Sequence, residues 1–386
     1  MLNTAAPRRP MLPPVPYDRW LIAVIVTIVL LGLLMVASAS IEISEKQMHE
    51  PFYFLYRQLI GLLLGIICGY VVVQFKIAFW QKIDSFLLVG VMLLLALVLI
   101  PGIGHSVNGS ARWVGFGVLR IQVSELAKFA MVIYLAGYLF RRNREIQTQF
   151  TGFVKPIGIL AVIALLLLGE PDFGATVVIM ATALGMMFLA GMRLRPFVIM
   201  FVVILAALAV LAISEPYRMA RLTNFLNPWA NPYNSGYQLT QSLIAFGRGG
   251  LTGIGLGNSI QKLFYLPEAH TDFLFAVIAE ELGLVGMLVI MGLFIFLVIR
   301  IFFIGRQAQQ LGRHFAGFMA YGFGLWIAMQ FTVSIGVNSG ILPTKGLTLP
   351  LMSYGGSSLL VNCIVMALLL RIDYENRLIL LGLYNE

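Results

Sequence analysis

The sequence of 386 residues is poor in charge and almost free of cysteine. Asp, Glu, Lys and Arg make up 11% of the residues and apolar residues 60%, whereas a typical soluble domain is about a quarter charged and about half apolar. This composition, with a mean hydropathy of +0.91, excludes an ordinary soluble protein. The two cysteines, Cys68 and Cys363, cannot form a disulfide framework, and both lie inside apolar runs.

The apolar runs predict ten transmembrane helices, because a membrane span needs about 20 mainly apolar residues. They cover approximately residues 20–40, 54–74, 85–101, 124–140, 156–169, 174–191, 196–213, 273–304, 315–338 and 355–370. No long polar block separates them, so the predicted fold is an all-α polytopic membrane protein with one membrane domain over residues 20–370. Gly61, Gly65 and Gly69 recur at intervals of four and predict a face for close helix packing.

Basic residues are unevenly distributed around the predicted spans. With the N-terminus in the cytoplasm, the cytoplasmic segments carry 16 of the 26 Lys and Arg residues. They do so although these segments are shorter than the extracytoplasmic loops. We therefore expect both tails, residues 1–19 and 371–386, to be cytoplasmic. A large extracytoplasmic loop is expected at residues 214–272, between the seventh and eighth spans. The net charge of +9 is attributed to this orientation, and no nucleic-acid partner is expected.

A lysine and an aspartate are the main candidates for chemistry. Lys128 lies inside an apolar span, where a cation is costly unless it faces a wet cavity or an opposite charge. It either pairs with Glu125, one turn earlier, or projects into an outward-facing cavity toward a carboxylate from elsewhere. Asp272 stands where the long loop meets the eighth span. It could accept a proton from a hydroxyl nucleophile, or it could complement the helix dipole together with Thr271.

Further polar residues lie on the predicted outer face. Glu268, His270 and Asp272 alternate and could be metal ligands, although alternation suits a strand better than a helix start. Glu280 and Glu281 lie deeper and suggest a cavity that descends between helices. Arginines and lysines on this face could bind phosphate. The candidates for substrate contact are Arg57, Arg112, Trp113, Glu125, Arg248, Glu268, His270, Lys345 and Ser353, and Lys262 is a further outer cation.

Four motifs resemble the SEDS family (shape, elongation, division, sporulation) of bacterial cell-wall proteins. They are NGSARW at 108–113, LRIQVSELAK at 119–128, PEAHTDF at 267–273 and PLMSYGGSS at 350–358. The similarity extends from the first span to the tail. Residues 215–218, 227–229, 236–242 and 370–375 resemble the cell-division branch of the family more than the elongation branch.

The resemblance implies a ten-helix peptidoglycan glycosyltransferase of the bacterial inner membrane that polymerises lipid II at the division septum. In that family the aspartate that matches Asp272 is catalytic, and the lysine that matches Lys128 pairs with it. This chain departs from the family pattern at two positions: Val123, where the family usually has proline, and Glu170, where the family usually has glutamine.

The implied reaction inverts an α-linked donor in one displacement, with undecaprenyl pyrophosphate as the leaving group. Outer arginines or a divalent cation, Mg²⁺ or Mn²⁺, would stabilise the departing pyrophosphate. The implied partners are lipid II, the growing lipid-linked glycan, a single-span class B penicillin-binding transpeptidase and other divisome membrane proteins.

Two other classes of protein compete with this interpretation. A lipid II transporter would carry polar residues through the midplane, on broken half-helices, whereas the charges here gather near the outer ends apart from Glu280 and Glu281. A noncatalytic division scaffold would tolerate substitution of Asp272.

Overall fold

Long apolar helices form most of the structure, a computed structural model that describes residues 17–102, 104–107, 110–116, 119–149, 151–213, 225–234, 236–343 and 346–383. Its α-helices are α1 (Arg19–Met48), α2 (Tyr53–Gln74), α3 (Ile77–Val98), α4 (Val123–Thr148), α5 (Thr151–Gly169), α6 (Phe173–Leu189), α7 (Leu194–Ile213), α8 (Tyr237–Gly249), α9 (Leu274–Gln310), α10 (His314–Asn338) and α11 (Gly356–Leu380).

Eight of the helices in the described ranges, α1 to α5 and α9 to α11, are long and apolar enough to cross a membrane. Two shorter apolar stretches are also helical, namely α6 (Phe173–Leu189) and the part Leu194–Ala206 of α7. Each of the ten predicted apolar segments therefore contains a helix. The protein is a mostly helical, multi-span membrane protein, as the composition predicted.

Helices α4, α10 and α11 form the interior, and the other spans surround them. The aromatic rings of Phe129 and Phe323 stack between α4 and α10, with centroids 5.9 Å apart. The predicted close packing of the glycine face is confirmed for α2 and α11. A Cβ at Gly65 would lie 2.9 Å from the Cys363 Sγ, so only glycine allows this separation.

The fold is not entirely helical, because the segment between α3 and α4 contains a small antiparallel sheet. Its strands are β1 (His105–Val107), β2 (Ser110–Phe116) and β3 (Leu119–Gln122), in the order β1-β2-β3. Trp113 pairs with Gln122, and Phe116 with Leu119. The expectation of an all-α fold is wrong for this segment, where aromatic and β-branched residues favour strands.

The long loop at residues 214–272 is also partly helical. It contains a short 3₁₀ turn at Pro228–Ala230 and the helix α8, which packs along α9. Residues 214–224 and 235 lie outside the described residues. At Gly249 a Cβ would lie 1.9 Å from the Ala279 carbonyl oxygen. Glycine at this position therefore lets the end of α8 touch the backbone of α9.

Helix α9 is broken at Gly283, whose φ of 64° and ψ of −164° are not helical. The chain after α8 pairs with the break: the amides of Ile254 and Gly255 donate to the carbonyls of Glu280 and Glu281 at 3.0 and 3.1 Å. In return, the amides of residues 284 and 285 donate to the carbonyls of residues 250 and 251. The loop thus supplies partners for backbone groups that the break removes from the helix.

Candidate functional site

Asp272 lies two residues before α9, with its side chain half-buried. Its carbonyl oxygen accepts a hydrogen bond from the Nδ2 of Asn338, the last residue of α10, at 2.9 Å. Its carboxylate lies against the backbone at Gly346, where a Cβ would be 2.6 Å from the Asp272 Oδ2. The lack of a side chain at residue 346 therefore allows the carboxylate to approach the loop before α11.

Lys128 is buried in α4 and fully engaged by polar groups. Its Nζ bonds to the Glu125 Oε1 at 2.8 Å and to the Gln330 Oε1 at 2.9 Å, and it lies 5.0 Å from the centre of the Trp326 ring. Of the two alternatives left open by the sequence, the structure shows pairing with Glu125 rather than with Asp272. The ammonium group is thus paired inside the protein and does not face lipid.

The loop segment 346–355 links the two candidate residues. Gly346 contacts the Asp272 carboxylate, and the Thr348 carbonyl accepts a hydrogen bond from the Gln330 Nε2 at 2.9 Å. Since Gln330 also bonds to Lys128, a continuous set of contacts runs from Lys128 to the segment beside Asp272. Lys128 can therefore influence Asp272 through Gln330 and this segment.

Ser353 helps to hold segment 346–355 in place. Its Oγ accepts a hydrogen bond from the Leu349 amide at 3.0 Å, and its carbonyl accepts one from the Gln58 Nε2 at 3.1 Å. Helix α1 packs directly on the same turn, because a Cβ at Gly32 would lie 2.6 Å from the Met352 Cα. Ser353, predicted to contact substrate, thus has a structural role in the turn.

His270 is packed between aromatic rings. Its ring centroid is 4.5 Å from that of Phe54 and 5.5 Å from that of Tyr354, and its carbonyl accepts the Tyr354 amide at 3.0 Å. Burial lowers the pKa of His270, against the opposing effect of the Glu268 carboxylate. The imidazole is therefore neutral near pH 7 and packs as an aromatic residue.

The alternating residues do not converge on a metal ion. Glu268 is exposed and accepts a hydrogen bond from the Thr271 hydroxyl at 2.7 Å, whereas His270 is enclosed by aromatic rings. Within the described ranges no three His, Cys, Asp or Glu side chains gather as metal ligands would. The residues that the structure describes therefore do not fit the metal-ligand interpretation.

Glu280 and Glu281 have no exposed surface, and each pairs with a cation from the long loop. The Lys262 Nζ lies 2.8 Å from the Glu281 Oε1, and the Arg248 Nε lies 3.1 Å from the Glu280 Oε1. The Ser38 hydroxyl also donates to Glu281 at 2.7 Å. The two acids are thus each held in an ion pair, and the loop packs against α9 where the sequence suggested a cavity. Arg248 and Lys262, both candidates for phosphate contact, are engaged there.

Arg112 and Trp113 lie on the small sheet. The Arg112 guanidinium donates to the carbonyls of Glu170 and Pro171, at 3.1 and 2.6 Å, and so ties the sheet to the chain between α5 and α6. Trp113 is half-buried in β2. Arg112 thus holds the sheet in place through the backbone between α5 and α6.

The Glu170 carboxyl itself is buried, and neither of its oxygens accepts a hydrogen bond from any residue in the described part of the chain. Burial and the neighbouring Asp172 carboxylate raise the pKa of Glu170 to about 8, against the opposing charge of Arg112. At neutral pH this side chain is therefore mainly an uncharged acid.

Of the remaining candidates, Arg57 is exposed on α2, where it donates to the Tyr53 hydroxyl at 3.0 Å. Its charge also opposes the effect of burial, which raises the pKa of Tyr354. Arg57 is thus an exposed cation close to the aromatic residues around His270. Lys345 lies outside the described residues.

Sequence reasoning missed two residues that connect the site. Gln330 bridges Lys128 and Thr348, and Asn338 holds the backbone at Asp272. Gln330 is an amide in the middle of an apolar run, which is a recognisable signal for a functional or buried polar contact. Asn338 ends the same run and offers a weaker signal, since polar residues are common at the ends of spans.

The fold and the site define a multi-span membrane protein in which a half-buried carboxylate and a buried lysine are tied to one loop segment. The family model for the cell cycle proteins FtsW, RodA and SpoVE matches residues 18–378. The chain therefore belongs to this family, which confirms the resemblance seen in its motifs.

Similar proteins cover almost the whole chain. A Legionella pneumophila protein named probable peptidoglycan glycosyltransferase FtsW is 57% identical, over 99% of both chains. A Coxiella burnetii protein of the same name is 54% identical, over 93% of this chain and 96% of that protein.

Solved structures show a similar fold. A chain from a peptidoglycan synthase complex that coordinates polymerization and crosslinking matches with a TM-score of 0.78 and 28% identity, over 93% of this chain and 98% of that chain. The rod shape determining protein RodA of Thermus thermophilus matches with a TM-score of 0.70 and 28% identity, over 93% of this chain and 97% of that chain.

Proposed function

We propose that this protein is a peptidoglycan glycosyltransferase that polymerises lipid II into β-1,4-linked glycan at the division septum. The names of its relatives and their high identity support this activity. The structural observation that carries the proposal is the placement of Asp272. Its half-buried carboxylate lies against the glycine backbone of segment 346–355, while Asn338 holds its main chain. A fixed carboxylate at the edge of a packed bundle is suited to general base catalysis.

The reaction forms one glycosidic bond and breaks one bond to pyrophosphate. Asp272 accepts the proton of the acceptor 4-hydroxyl as that oxygen attacks the anomeric carbon of the donor. The bond between this carbon and undecaprenyl pyrophosphate breaks, and the leaving group keeps the electron pair. A single displacement converts the α-linked donor into a β-linked product, so no covalent enzyme intermediate is needed.

Lys128 supports Asp272 through segment 346–355 rather than by direct contact. Its bond to Gln330, and the bond from Gln330 to Thr348, fix the loop on which the Asp272 carboxylate rests. We assign binding of the substrate phosphates to exposed outer cations, of which Arg57 is the best placed, because it lies beside the aromatic residues around His270. Bound through the substrate phosphates, Mg²⁺ or Mn²⁺ would stabilise the charge of the departing pyrophosphate.

The proposed topology has ten spans, cytoplasmic termini and a catalytic face outside the inner membrane. Two contacts between α1 and α9 support it: the ion pair of Asp18 with Arg300 and the hydrogen bond of Ser38 with Glu281. Twenty residues of α1 separate these contacts, which is about 30 Å of helix and matches the hydrocarbon thickness of a bilayer. With the basic segments inside, we expect the Glu281 end, which carries the loop to Asp272, to lie outside.

A class B transpeptidase is the proposed partner. The similar chain of known structure comes from a complex that coordinates polymerization and crosslinking. Lipid II and the growing lipid-linked glycan are the proposed substrates. Contacts with other divisome membrane proteins at the septum would follow from this role.

A lipid II transporter is the second candidate, and the break in α9 at Gly283 favours it, because transporters bind substrates at broken helices. The surroundings of the break weaken this candidate. Residues 250–255 pair with its backbone, and the adjacent Glu280 and Glu281 are bound to Arg248 and Lys262.

The direct test is glycan polymerisation from purified lipid II by the wild-type protein with its transpeptidase partner, compared with Asp272→Asn. We expect polymer from the wild type and a rate at least about 100-fold lower for the variant, the usual contribution of a general base. Asp373→Asn, which alters a buried aspartate paired with Arg377 on α11, is the matched control and should retain activity. Equal polymer from the wild type and Asp272→Asn would exclude Asp272 as the base. No polymer from either would favour transport or scaffolding.

A further inference from the structure

The N-terminus of α9 receives its cap from another helix. Phe273, its N-cap residue, makes no side-chain capping bond in the described structure. The side chain of Asn338, at the end of α10, supplies the missing contact: its Oδ1 accepts the Ala276 amide at 3.1 Å. The same amide also donates to the Phe273 carbonyl at 3.0 Å, so Asn338 provides a second acceptor in the first turn.

The nitrogen of the Asn338 side-chain amide makes a separate set of hydrogen bonds. Its Nδ2 donates to the Asp272 carbonyl at 2.9 Å and to the Ser334 carbonyl at 2.8 Å, and the side chain has no exposed surface. A helix cap needs only the oxygen. The nitrogen is the group that fixes the main chain of Asp272 to α10.

Helix α10 therefore contacts both sides of the site. Gln330, eight residues before Asn338 on the same helix, bonds to Lys128 and to the Thr348 carbonyl. Because a helix is a rigid element, its two amides set the position of the Asp272 backbone relative to Lys128 and segment 346–355. A base that must reach a hydroxyl at hydrogen-bond distance is sensitive to such placement.

We propose that Asn338 is a positioning residue for Asp272, acting through its Nδ2 on the Asp272 carbonyl. This inference rests on the proposed glycosyltransferase function. The hydrogen bonds of Asn338 at this site are to main-chain groups, the Asp272 carbonyl and the Ala276 amide. Loss of Asn338 should therefore lower turnover while leaving the KM for lipid II unchanged.

The variant Asn338→Asp separates the two tasks of this side chain. It retains an oxygen that can accept the Ala276 amide, and it replaces the donor nitrogen by a second oxygen. At low pH the protonated Asp carboxyl can donate to the Asp272 carbonyl and preserve its position. At high pH the ionised carboxylate faces two carbonyl oxygens and repels them. The defect should therefore grow as the pH rises.

The experiment measures turnover of the variant and the wild type with purified lipid II and the transpeptidase partner, from about pH 6 to about pH 9, a range in which a buried carboxyl ionises. We expect the ratio of variant to wild-type turnover to fall by roughly tenfold or more across this range, with KM within about twofold, as expected for a lost buried hydrogen bond. Both rates are expressed per folded protein, with the folded fraction measured at each pH, because ionisation of a buried carboxyl also destabilises the fold. A merely structural defect then gives a ratio close to one at every pH.

Asn376→Asp is the matched control. Asn376, on α11, is also fully buried, donates through its Nδ2 to the Ile304 carbonyl at 3.2 Å and accepts from Arg313 at 2.6 Å. Arg313 is the N-cap residue of α10, so this contact lies at the end of α10 opposite to Asn338. The turnover ratio of Asn376→Asp should be independent of pH. A pH-independent ratio for Asn338→Asp, whether equal to one or lower, would overturn the inference. An inactive wild type would instead refute the proposed function.

Discussion

Replacing Glu170 by glutamine should stabilise the protein against unfolding at alkaline pH and have little effect near about pH 5. The carboxyl is buried between α5 and α6, and neither oxygen has a hydrogen-bond partner in the described part of the chain. Asp172 adds a like charge, and the Arg112 guanidinium is committed to the backbone carbonyls of Glu170 and Pro171. Glutamine removes the ionisable group while keeping nearly the same shape.

The size of the effect follows from the pKa of Glu170, which is raised from 4.5 to about 8 in the folded state. Since a tenfold change in an equilibrium constant is about 1.4 kcal/mol, the full difference corresponds to roughly 5 kcal/mol. The unfolded chain releases its proton above pH 4.5, whereas the folded protein keeps it until about pH 8. The stability of the wild type therefore falls as the pH rises through this window and then levels off.

The assay is the free energy of unfolding of detergent-solubilised protein, measured for the wild type and Glu170→Gln from about pH 5 to about pH 9, which spans the window of the pKa values. The free energy of unfolding of the variant should exceed that of the wild type by roughly 3 kcal/mol at neutral pH and by roughly 5 kcal/mol above pH 8. Other groups titrate alike in both proteins and cancel in this difference. Glu45→Gln, at an exposed position of α1, is the matched control and should change the free energy of unfolding by no more than about 0.5 kcal/mol. If the difference in free energy of unfolding between Glu170→Gln and the wild type did not change with pH, the conclusion that Glu170 is a buried, uncharged acid would be wrong.

Two further predictions concern the packing of the long loop against α9, and both are measured as free energies of unfolding. Lys262→Met should cost about 3–5 kcal/mol because it leaves Glu281 buried without its cation, and adding Glu281→Gln should recover much of this loss; a neutral single variant would contradict the ion pair. Gly249→Ala should cost about 1–3 kcal/mol or more, since its Cβ would meet the Ala279 carbonyl at 1.9 Å. Gly247→Ala, whose Cβ would have open space among the described residues, should be neutral or slightly stabilising, and equal effects of the two alanines would contradict the close contact.

The sequence predicted the apolar architecture well, because the length and composition of each run depend on the bilayer rather than on the rest of the chain. The close packing of α2 on α11 was also predictable, since it depends on the regular spacing of Gly61, Gly65 and Gly69. Pairing of Lys128 with Glu125 was predictable for the same reason, because residues three apart share one helix face.

The remaining contacts depend on which distant segments meet, and local patterns do not contain that information. Lys128 meets Gln330 across 202 residues of sequence, and Asp272 meets Asn338 across 66. The cations of the long loop illustrate the same limit. Arg248 is a predicted substrate contact, and the fold places it beside the buried Glu280.

The pairing of residues 250–255 with the break at Gly283 limits how the loop can change in length. Four backbone hydrogen bonds fix the register between the two segments, so one inserted residue would displace every later partner, including Lys262 from Glu281. Insertions and deletions between Gly249 and α9 are therefore expected to be poorly tolerated, both in natural relatives and in engineered variants. Epitope tags and labelling sites should be better tolerated before α8, near Tyr233, whose side chain is 87% exposed.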